Sequence, residues 1–513
     1  MHTRLLFALA VLGLTACFKA SGEYADTGWY GAAPEGDVDA DGDADDDWGS
    51  EQESDFLMLP PAATDKYVFI ANPDRGTLTR VSVPHLDVIT VEVGEQPAVV
   101  VTTSDYTKAV SFNAGSDDLS VVDAATLSEA RVPVRQNLNA MELSPDGRWA
   151  VCYHDADVED DEYDDEGGAQ SFNEISVVDT DSLEVFSMVV GAGPRQVKFD
   201  ASSSLAIVVS DQYLAMIDLT AAQPAPTMVQ LAEDLLDPPK AEELEIAPSG
   251  AFAFVRQYGA NDVAVVDLST FALTRVHVGF NPTDLDITPD GSKAVVVTRG
   301  DRQLWLLDCA DPYADAEVVP LPEDYVLGSL SMTPDGGLGV LYSTAVIQSR
   351  YATWDVASGE VTLHSLVKPI DTLSVSPTGE TLLIFHTEED GPSDDPESAF
   401  AGSWALSMIS LADFRQNSLK LEAEPLEYAN SLDGLHGYFV QDGIDSLVRL
   451  DYDTLLYDTF DLKSQPEHVG VLPDTPYAWV SQEHELGRIS FYDADDSSIE
   501  TITGFELNGE IEH

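Results

Sequence analysis

Basic residues and cysteine are both scarce in this sequence. Lysine and arginine together number 24 against 92 aspartates and glutamates, which gives a formal net charge of -68 at pH 7. So negative a surface repels phosphate backbones and anionic lipid headgroups, and we therefore expect no nucleic-acid partner. The 513 residues include only three cysteines, so no disulfide framework is expected. Cations or basic protein surfaces are the partners that this composition favours.

The sequence also lacks the short motifs of common enzyme families. It contains no Gly-x-Ser-x-Gly elbow, no His-Glu-x-x-His, no phosphate-binding P-loop and no Cys-x-x-Cys pair. The ten histidines are scattered singly, which disfavours a transition-metal centre. We therefore take a non-catalytic binding protein as the leading hypothesis. A hydrolase or lactonase with its site at a channel mouth is the alternative.

Long apolar runs are missing as well, apart from one near the N-terminus. Arg4 precedes the apolar run Leu5–Leu14, which is too short to span a membrane, and Leu14-Thr15-Ala16-Cys17 follows it. This pattern predicts a signal peptide over residues 1–16. The four residues resemble the lipobox of bacterial lipoproteins, and that resemblance implies lipid on Cys17, anchorage to the cell envelope and, because Phe18 follows, the outer membrane.

Residues 17–60 are predicted to be a lipidated, disordered tether. Glu35–Asp55 contains eleven acidic residues and no basic one, a composition that cannot bury a core and repels itself into an extended form. Asp37–Asp43 matches the opening of an EF-hand calcium loop, but Trp48 stands where the bidentate glutamate belongs. We interpret this stretch as a solvated acidic spacer.

The rest of the chain consists of copies of one strand-rich unit. The clearest copy runs from Asp262 to Thr298, where short β-branched runs are separated by turn residues such as Pro289-Asp290-Gly291. Ten third strands can be traced, most of which end in a carboxylate, at a spacing of about 46 residues. They are Leu78–Ser82, Leu119–Asp123, Ile175–Asp179, Leu214–Asp218, Val263–Asp267, Leu304–Asp308, Tyr351–Asp355, Leu406–Ser410, Leu447–Asp451 and Ile489–Asp493.

The repeat resembles the YVTN-type β-propeller repeat, which joins a V-x-V-I-D strand, a G-x-x-P link and a P-D-G turn. Residues 61–513 are therefore expected to form an all-β domain, a single closed propeller of ten four-stranded blades. Eight blades is the alternative if two divergent repeats around residues 381–475 fold differently. We also expect the ring to close by pairing Phe505–Ile511, as an innermost strand, with Tyr67–Ala71.

The aspartates that end the third strands are interpreted as structural. A carboxylate three residues before a serine or threonine, as in Asp123 before Thr126, satisfies nearby backbone N–H groups in an Asx turn. A binding site that is needed once would not be copied so often. We therefore look for function where the repeats differ.

Two acidic insertions are the largest differences among the repeats. Asp155–Glu166 contains nine acidic residues and Glu388–Glu397 contains six, each after a second strand that ends in histidine. In a ten-blade ring they emerge from the same face on opposite sides. Oxygen ligands of this kind suit calcium, so Ca²⁺ is a secondary hypothesis. Its candidate ligands are Asp155, Asp157, Glu159, Asp160, Glu388, Glu389 and Asp390.

The same face carries the remaining candidates for partner binding. They are Arg195, Arg256, Tyr258, Asn281, Arg299, His468 and His484. Arginines in so acidic a chain can also serve as charge compensation, and the tripeptide Arg299-Gly300-Asp301 is interpreted as a turn. The leading hypothesis is therefore a monomeric envelope lipoprotein, anchored to the membrane by lipid, whose propeller binds a protein or a glycan.

Overall fold

The computed structural model of the chain describes residues 61–155, 173–323, 325–392, 394–505 and 510–512. Its regular structure is almost entirely β: 41 strands and one short 3-10 helix, Pro73–Arg75, in the part described. The predicted signal peptide, Cys17 and the acidic tether lie outside these residues. None of the helical structure described is long and apolar enough to cross a membrane.

The strands form ten sheets, and each sheet is one blade whose strands follow one another in sequence order. Blades 1 and 2 contain β1 to β4 (Ala62–Ala63, Tyr67–Asn72, Thr77–Ser82, Val88–Glu92) and β5 to β8 (Pro97–Thr102, Lys108–Asn113, Asp118–Asp123, Glu129–Pro133). Blades 3 and 4 contain β9 to β12 (Ala140–Leu143, Trp149–Tyr153, Glu174–Asp179, Val185–Val189) and β13 to β16 (Pro194–Phe199, Leu205–Ser210, Tyr213–Asp218, Pro226–Gln230). Blade 5 contains β17 to β20 (Ala241–Ile246, Phe252–Gln257, Asp262–Asp267, Ala272–His277).

The second half of the ring repeats this order. Blades 6 and 7 contain β21 to β24 (Pro282–Ile287, Lys293–Thr298, Gln303–Asp308, Glu317–Pro320) and β25 to β28 (Ser329–Met332, Leu338–Tyr342, Arg350–Asp355, Val361–Ser365). Blades 8 and 9 contain β29 to β32 (Ile370–Val375, Thr381–His386, Ala405–Ser410, Gln416–Lys420) and β33 to β36 (Pro425–Asn430, His436–Gln441, Ile444–Asp451, Leu456–Asp461). Blade 10 contains β37 to β41 (Pro466–Val471, Tyr477–Gln482, Arg488–Asp493, Ser498–Thr503, Glu510–Glu512).

The predicted ten-blade propeller is confirmed. Every third strand ends at the residue that the repeat pattern predicted, from Ser82 in blade 1 to Asp493 in blade 10. The alternative of eight blades is wrong, because residues 381–475 contribute regular strands to blades 8, 9 and 10. A spacing of about 46 residues was therefore sufficient to count the blades.

The predicted closure of the ring is wrong in its strand pairing. The innermost strand of blade 1 is Ala62–Ala63, which pairs with β2 immediately after it in the chain. The C-terminal strand Glu510–Glu512 instead pairs with the outermost strand of blade 10 and makes that sheet five-stranded. The first blade is thus completed from its own N-terminal side, and the last strand covers an outer edge.

Side-chain packing closes the ring where strand pairing does not. The buried apolar residues form ten clusters, and each cluster joins two neighbouring blades. In the cluster between the last blade and the first, Val68 and Ile70 of blade 1 pack with Trp479, Phe491 and Phe505. Burying one such side chain stabilises a fold by about 1.5–3 kcal/mol, so a whole interface holds the ends firmly together.

The links between strands divide the ring into two faces. The first-to-second turns and the third-to-fourth links emerge on one side, which we call the turn face. The second-to-third and fourth-to-first links emerge on the other, which we call the mouth face.

On the turn face the repeated aspartates do cap the backbone, as predicted. Asp123 accepts hydrogen bonds from the backbone N–H groups of Ala125 and Thr126, at 3.1 and 2.7 Å. Those hydrogen bonds hold the pKa of the Asp123 carboxyl below its usual range.

Candidate functional site

The innermost strands present a ring of side chains around the channel at the mouth face. The first strand of seven blades carries a β-bulge next to its opening residue. A bulge leaves one residue out of the ladder and re-aims its side chain. The bulged residues are Ala98, Arg195, Glu242, Thr283, Asp371, Leu426 and Glu467. Of these seven residues only Arg195 was predicted as a site residue. The others could have been located in the sequence, because each bulged residue directly follows the proline of the fourth-to-first link or the residue that replaces that proline.

Two of the predicted arginines are already paired within the ring. Arg195 makes a bidentate contact with Asp211, from Nε to Oδ1 at 2.8 Å and from a terminal nitrogen to Oδ2 at 2.9 Å. Arg256 is buried and lies between Glu242 and Glu243, with Nε 2.9 Å from the Glu243 carboxylate. Their charges are therefore neutralised locally, and they stabilise the mouth more than they attract a ligand.

Four of the predicted partner-binding residues line one shallow depression between blades 5 and 6. Its lining residues are Glu242, Arg256, Tyr258, Asn281, Pro282, Thr283 and Arg299. Its volume of about 10 Å³ is close to that of one water molecule. The structure therefore brings these residues together as a surface patch, and the depression is too small to enclose a small-molecule substrate.

Three large apolar side chains on the mouth-face links of blades 4 to 6 are exposed to solvent. Leu236 is 96% exposed, Tyr258 56% and Phe280 51%. They lie on three successive links of the mouth face, and the backbone N–H of Tyr258 donates to the Lys240 carbonyl at 2.8 Å, which ties two of these links together. We call these three residues the apolar patch. Two of them were missed in the sequence because a single apolar residue in a loop gives no periodic signal.

The Arg299-Gly300-Asp301 tripeptide holds the link that carries Phe280. Arg299 and Gly300 donate backbone hydrogen bonds to the carbonyls of Asn281 and Phe280 at 3.0 and 3.1 Å, and the Asp301 carboxylate accepts from the Phe280 N–H at 2.6 Å. A Cβ on Gly300 would lie 2.3 Å from the Phe280 ring, so only glycine fits there. The prediction that this tripeptide is a structural turn is confirmed.

Blades 8 to 10 add partly buried carboxylates to the acidic side of the mouth, and the sequence analysis missed them. Burial raises the pKa of Asp371 to about 6, and the Glu424 carboxylate adds repulsion. Burial also raises the pKa of Glu424, with further repulsion from Asp442 and Glu388. The pKa of Glu467 is raised by burial in the same way. These carboxylates come from different blades, so no local sequence motif could indicate their proximity.

The two predicted histidines lie on this acidic side and already have partners. His468 Nδ1 is 3.4 Å from Oε2 of Glu427, which is buried and also accepts the Val469 N–H at 2.6 Å. His484 Nδ1 accepts a backbone hydrogen bond at 3.1 Å from the residue two positions later. Both side chains therefore fix local structure at the mouth.

The second acidic insertion folds around an internal ammonium group. Lys368 is only 1% exposed, and its Nζ donates to the Glu388 carbonyl at 2.6 Å and to Asp390 Oδ1 at 2.9 Å. Asp390 also accepts from the Gly402 N–H at 3.0 Å, which ties down the far end of the insertion. Glu388 and Glu389 remain exposed. Asp390 is therefore already paired with a buried cation. No pattern in the sequence indicates that Lys368 is buried.

The first acidic insertion is described only at its start. The backbone N–H of Asp155 donates to Oδ1 of Asn139 at 2.7 Å, and the Asp155 carbonyl accepts from the same amide at 3.0 Å. The predicted calcium ligands Asp157, Glu159 and Asp160 lie outside the described residues. Among the residues described, no three His, Cys, Asp or Glu side chains are grouped so that they could hold a metal ion. Calcium binding at this insertion stays a prediction.

Comparison with known proteins identifies the fold and nothing narrower. No protein-family profile and no curated protein matches the sequence. A eukaryotic initiation factor structure is similar with a TM-score of 0.50 at 12% identity, over 75% of this chain and 94% of that one. The dihydro-heme d1 dehydrogenase NirN in complex with DHE is similar with a TM-score of 0.42 at 14% identity, over 77% and 73%.

The β-propeller domain of Cps50 (Swd1) from Myceliophteria thermophila is similar with a TM-score of 0.35 at 13% identity, over 58% of this chain and 96% of that one. At 12% identity the similarity to the initiation factor carries the fold alone, and the two similarities with lower TM-scores carry no argument. The chain is a ten-bladed β-propeller, and its function has to be inferred from its own surface.

Proposed function

We propose that this chain is a non-catalytic binding protein of the cell envelope, which holds a protein partner against the mouth face of blades 4 to 6. The observation that carries the proposal is the exposure of Leu236, Tyr258 and Phe280 on three successive links of this face, with Arg299 lining the same depression as Tyr258. Tyrosine, phenylalanine and arginine are enriched at the centres of protein interfaces, where their burial supplies most of the binding energy. The neighbouring depression is far smaller than a small-molecule pocket.

The charges around the apolar patch indicate the chemistry of the partner. Glu233, Asp234 and Asp237 are exposed on the link that carries Leu236, and Asp301 is exposed beside Phe280. A partner that covers the patch has to face these carboxylates at its rim. Complementary charge speeds association and rejects wrong partners. The partner that fits is therefore a protein surface with an apolar centre and a basic rim.

The proposal includes lipid attachment at Cys17, a location at the outer membrane and a monomeric propeller. The lipobox-like residues before Cys17 and the acidic composition of residues 17–60 support it. A tether of this composition would be repelled by an anionic membrane surface. Palmitate labelling of the wild type and of Cys17→Ala tests the anchor. Label that persists in the variant would contradict it.

Affinity capture from an envelope extract tests the binding function. The bait is the mature protein, compared with the triple variant Leu236→Ser, Tyr258→Ala and Phe280→Ser. The matched control carries Tyr313→Ala, Leu432→Ser and Leu435→Ser, which removes exposed apolar side chains of the turn face. We expect a basic protein that the wild type and the control retain and that the patch variant loses. Equal capture by all three proteins would contradict the proposal.

A hydrolase is the second candidate, and Asp371 is the observation that favours it. A carboxyl group with a pKa raised to about 6 at a channel mouth is typical of acid/base residues. A screen of ester and lactone substrates with the wild type and Asp371→Asn separates the two candidates. Turnover that the variant loses would establish an enzyme and would replace the binding proposal as the primary function.

A further inference from the structure

A cavity lies on the turn face, between blades 3 and 4, and the mouth face takes no part in it. Its volume is about 410 Å³, which is within the range of about 300–1,000 Å³ typical of small-molecule sites. We call it the turn-face groove. It is lined by Asp146, Arg148, Trp149, Asp179, Glu184, Phe186, Ser202, Ser203, Ser204, Leu219, Thr220, Ala221 and Ala222.

The groove opens where the turn pattern of the ring is interrupted. At the four interfaces from blade 5 to blade 9 the turn glycine packs on the turn proline of the preceding blade, and a Cβ on Gly291 would lie 3.0 Å from Pro248. Blade 4 instead has the turn Asp200–Ser204, without proline or glycine, and Ser203 adopts a φ of 55°. The Asp146 N–H donates to the Ser203 hydroxyl at 3.0 Å. This serine-rich turn replaces the usual contact and leaves space outside it.

A fixed guanidinium group forms one wall of the groove. Arg148 donates from Nε and from a terminal nitrogen to Oδ2 of Asp179 at 3.1 and 2.8 Å, and it lies over the Trp149 ring at 5.1 Å. The other oxygen of Asp179 accepts the N–H groups of Asp181 and Ser182, so this carboxylate is fully occupied. About half of the Arg148 side chain is exposed, and its remaining N–H donors are held in a defined position.

The charge of the lining excludes anionic ligands. Asp146, Asp179 and Glu184 contribute three carboxylates against the single guanidinium of Arg148. Phosphates, sulfates and nucleotides would therefore be repelled. The exposed carboxylates of Asp146 and Glu184 are hydrogen-bond acceptors, so the walls offer both donors and acceptors to a neutral ligand.

The groove also has an apolar surface on which a flat ligand can lie. Phe186 is half-buried in its wall, and Leu219, Ala221 and Ala222 come from the third-to-fourth link of blade 4. A sugar ring has hydroxyl groups around its edge and apolar C–H groups on its faces. The groove offers hydrogen-bond donors and acceptors beside an apolar wall, without an excess of positive charge. This combination matches the groups of a sugar ring. We propose that the turn-face groove binds a neutral saccharide, independently of any protein held at the mouth face.

Saturation-transfer NMR on the mature protein tests this proposal with named probes. The probes are N,N′-diacetylchitobiose, cellobiose and maltose, with a sulfated disaccharide for comparison. We expect saturation transfer to at least one neutral disaccharide and at least tenfold weaker binding of the sulfated one. No transfer to any neutral probe would overturn the proposal, and so would equal binding of the sulfated probe.

Groove variants decide where a sugar binds. Ala222→Trp fills the groove and is expected to abolish saturation transfer, while Ala357→Trp, an exposed alanine in the corresponding link of blade 7, is expected to retain it. Glu184→Gln keeps the fold and removes an acceptor, and we expect it to weaken binding several-fold. The mouth-face triple variant should bind the sugar normally. Binding that survives in both groove variants would overturn the assignment.

Discussion

The two sides of the mouth face use the same backbone to present opposite chemistry. In blades 4 to 6 the bulged positions carry Arg195, Glu242 and Thr283, and the arginines there are paired with neighbouring carboxylates. In blades 8 to 10 the equivalent positions include Asp371 and Glu467, whose pKa values are raised by burial. The repeat fixes where a side chain appears, and the local sequence decides whether its charge is neutralised.

The two sides therefore differ in function: the side of blades 4 to 6 is suited to binding a partner, whereas the side of blades 8 to 10 contains carboxylates that repel one another. On the side of blades 4 to 6 Arg195 and Arg256 are paired with carboxylates, so a partner meets the exposed apolar side chains and the carboxylates around them. On the side of blades 8 to 10 partly buried carboxylates repel one another, and a single lysine supplies the main internal cation described there. The following changes should weaken or strengthen that contrast.

Lys368→Met is expected to have the largest effect. It removes the buried ammonium that holds Glu388 and Asp390, and we expect a loss of about 2–3 kcal/mol in the free energy of unfolding. This loss is below the value of about 3–5 kcal/mol typical of broken buried pairs, because the Asp390 side chain is 37% exposed and can be hydrated. Denaturant unfolding measures the loss, and faster hydrogen exchange in residues 387–404 would locate it.

The control for this variant is Lys198→Met. Lys198 pairs with Glu245 at 3.5 Å on the side of blades 4 to 6, where both side chains are substantially exposed. Such surface pairs contribute less than about 1 kcal/mol. Equal losses in the two lysine variants would contradict the view that Lys368 organises the acidic side.

Asp371→Asn is expected to have the next largest effect on stability, and this effect depends on pH. The folded pKa of about 6 lies above the ordinary aspartate value of 3.8, so the folded state binds this proton more tightly than the unfolded state does. The wild type therefore loses stability as pH rises from 4 to 7, and the asparagine variant lacks that loss. We expect the variant to gain about 2 kcal/mol relative to the wild type at pH 7.

For Asp267, on the turn face of blade 5, we expect the pH dependence of stability to have the opposite sign to that of Asp371. Hydrogen bonds from Ser269 lower the pKa of its carboxyl, so this group adds stability above its unfolded pKa and loses it as the pH falls. Asp267→Asn should therefore cost stability at neutral pH and cost nothing in acid. Unfolding curves of Asp371→Asn at pH 4 and pH 7, and of Asp267→Asn at pH 2 and pH 7, check the two signs. The same sign for both would refute the assigned causes.

Gly300→Ala is expected to have the smallest effect on stability and a visible effect on the apolar patch. The added Cβ would lie 2.3 Å from the Phe280 ring and 2.7 Å from its carbonyl oxygen, so the link has to move. We expect a loss of about 1–2 kcal/mol together with weaker partner capture. Gly337→Ala is the control, since its Cβ would meet nothing closer than 3.4 Å. Unchanged capture by Gly300→Ala would show that the position of Phe280 does not matter.

The sequence was sufficient for the fold because the blade pattern is local. Strand alternation and Pro-Asp-Gly turns repeat along the chain, so the third strands could be placed residue by residue, including those in residues 381–475. Closure could not be predicted in the same way. Ala62–Ala63 is too short to give a strand pattern, and the outer pairing of Glu510–Glu512 depends on an edge that exists only in the folded ring.

The candidate site was predictable only in part, for a related reason. The repeat register placed Arg256, Tyr258, Asn281 and Arg299 on one face, and the structure brings them to one depression. Whether an arginine is paired, or a lysine buried, depends on residues that are distant along the chain. Lys368 meets Asp390 across 22 residues. Exposed single residues such as Leu236 carry no pattern at all, and only their environment shows that they stand in solvent.

Site-specific photo-crosslinking on cells tests the central claim most directly. A photoreactive phenylalanine analogue replaces Tyr258 or Phe280 in the apolar patch, Glu467 on the acidic side, or Phe414 on the turn face. We predict that one basic protein is captured from positions 258 and 280, weakly or not at all from 467, and not from 414. Equal crosslinking from position 414, or none from 258 and 280, would contradict the proposal that the mouth face of blades 4 to 6 binds the partner.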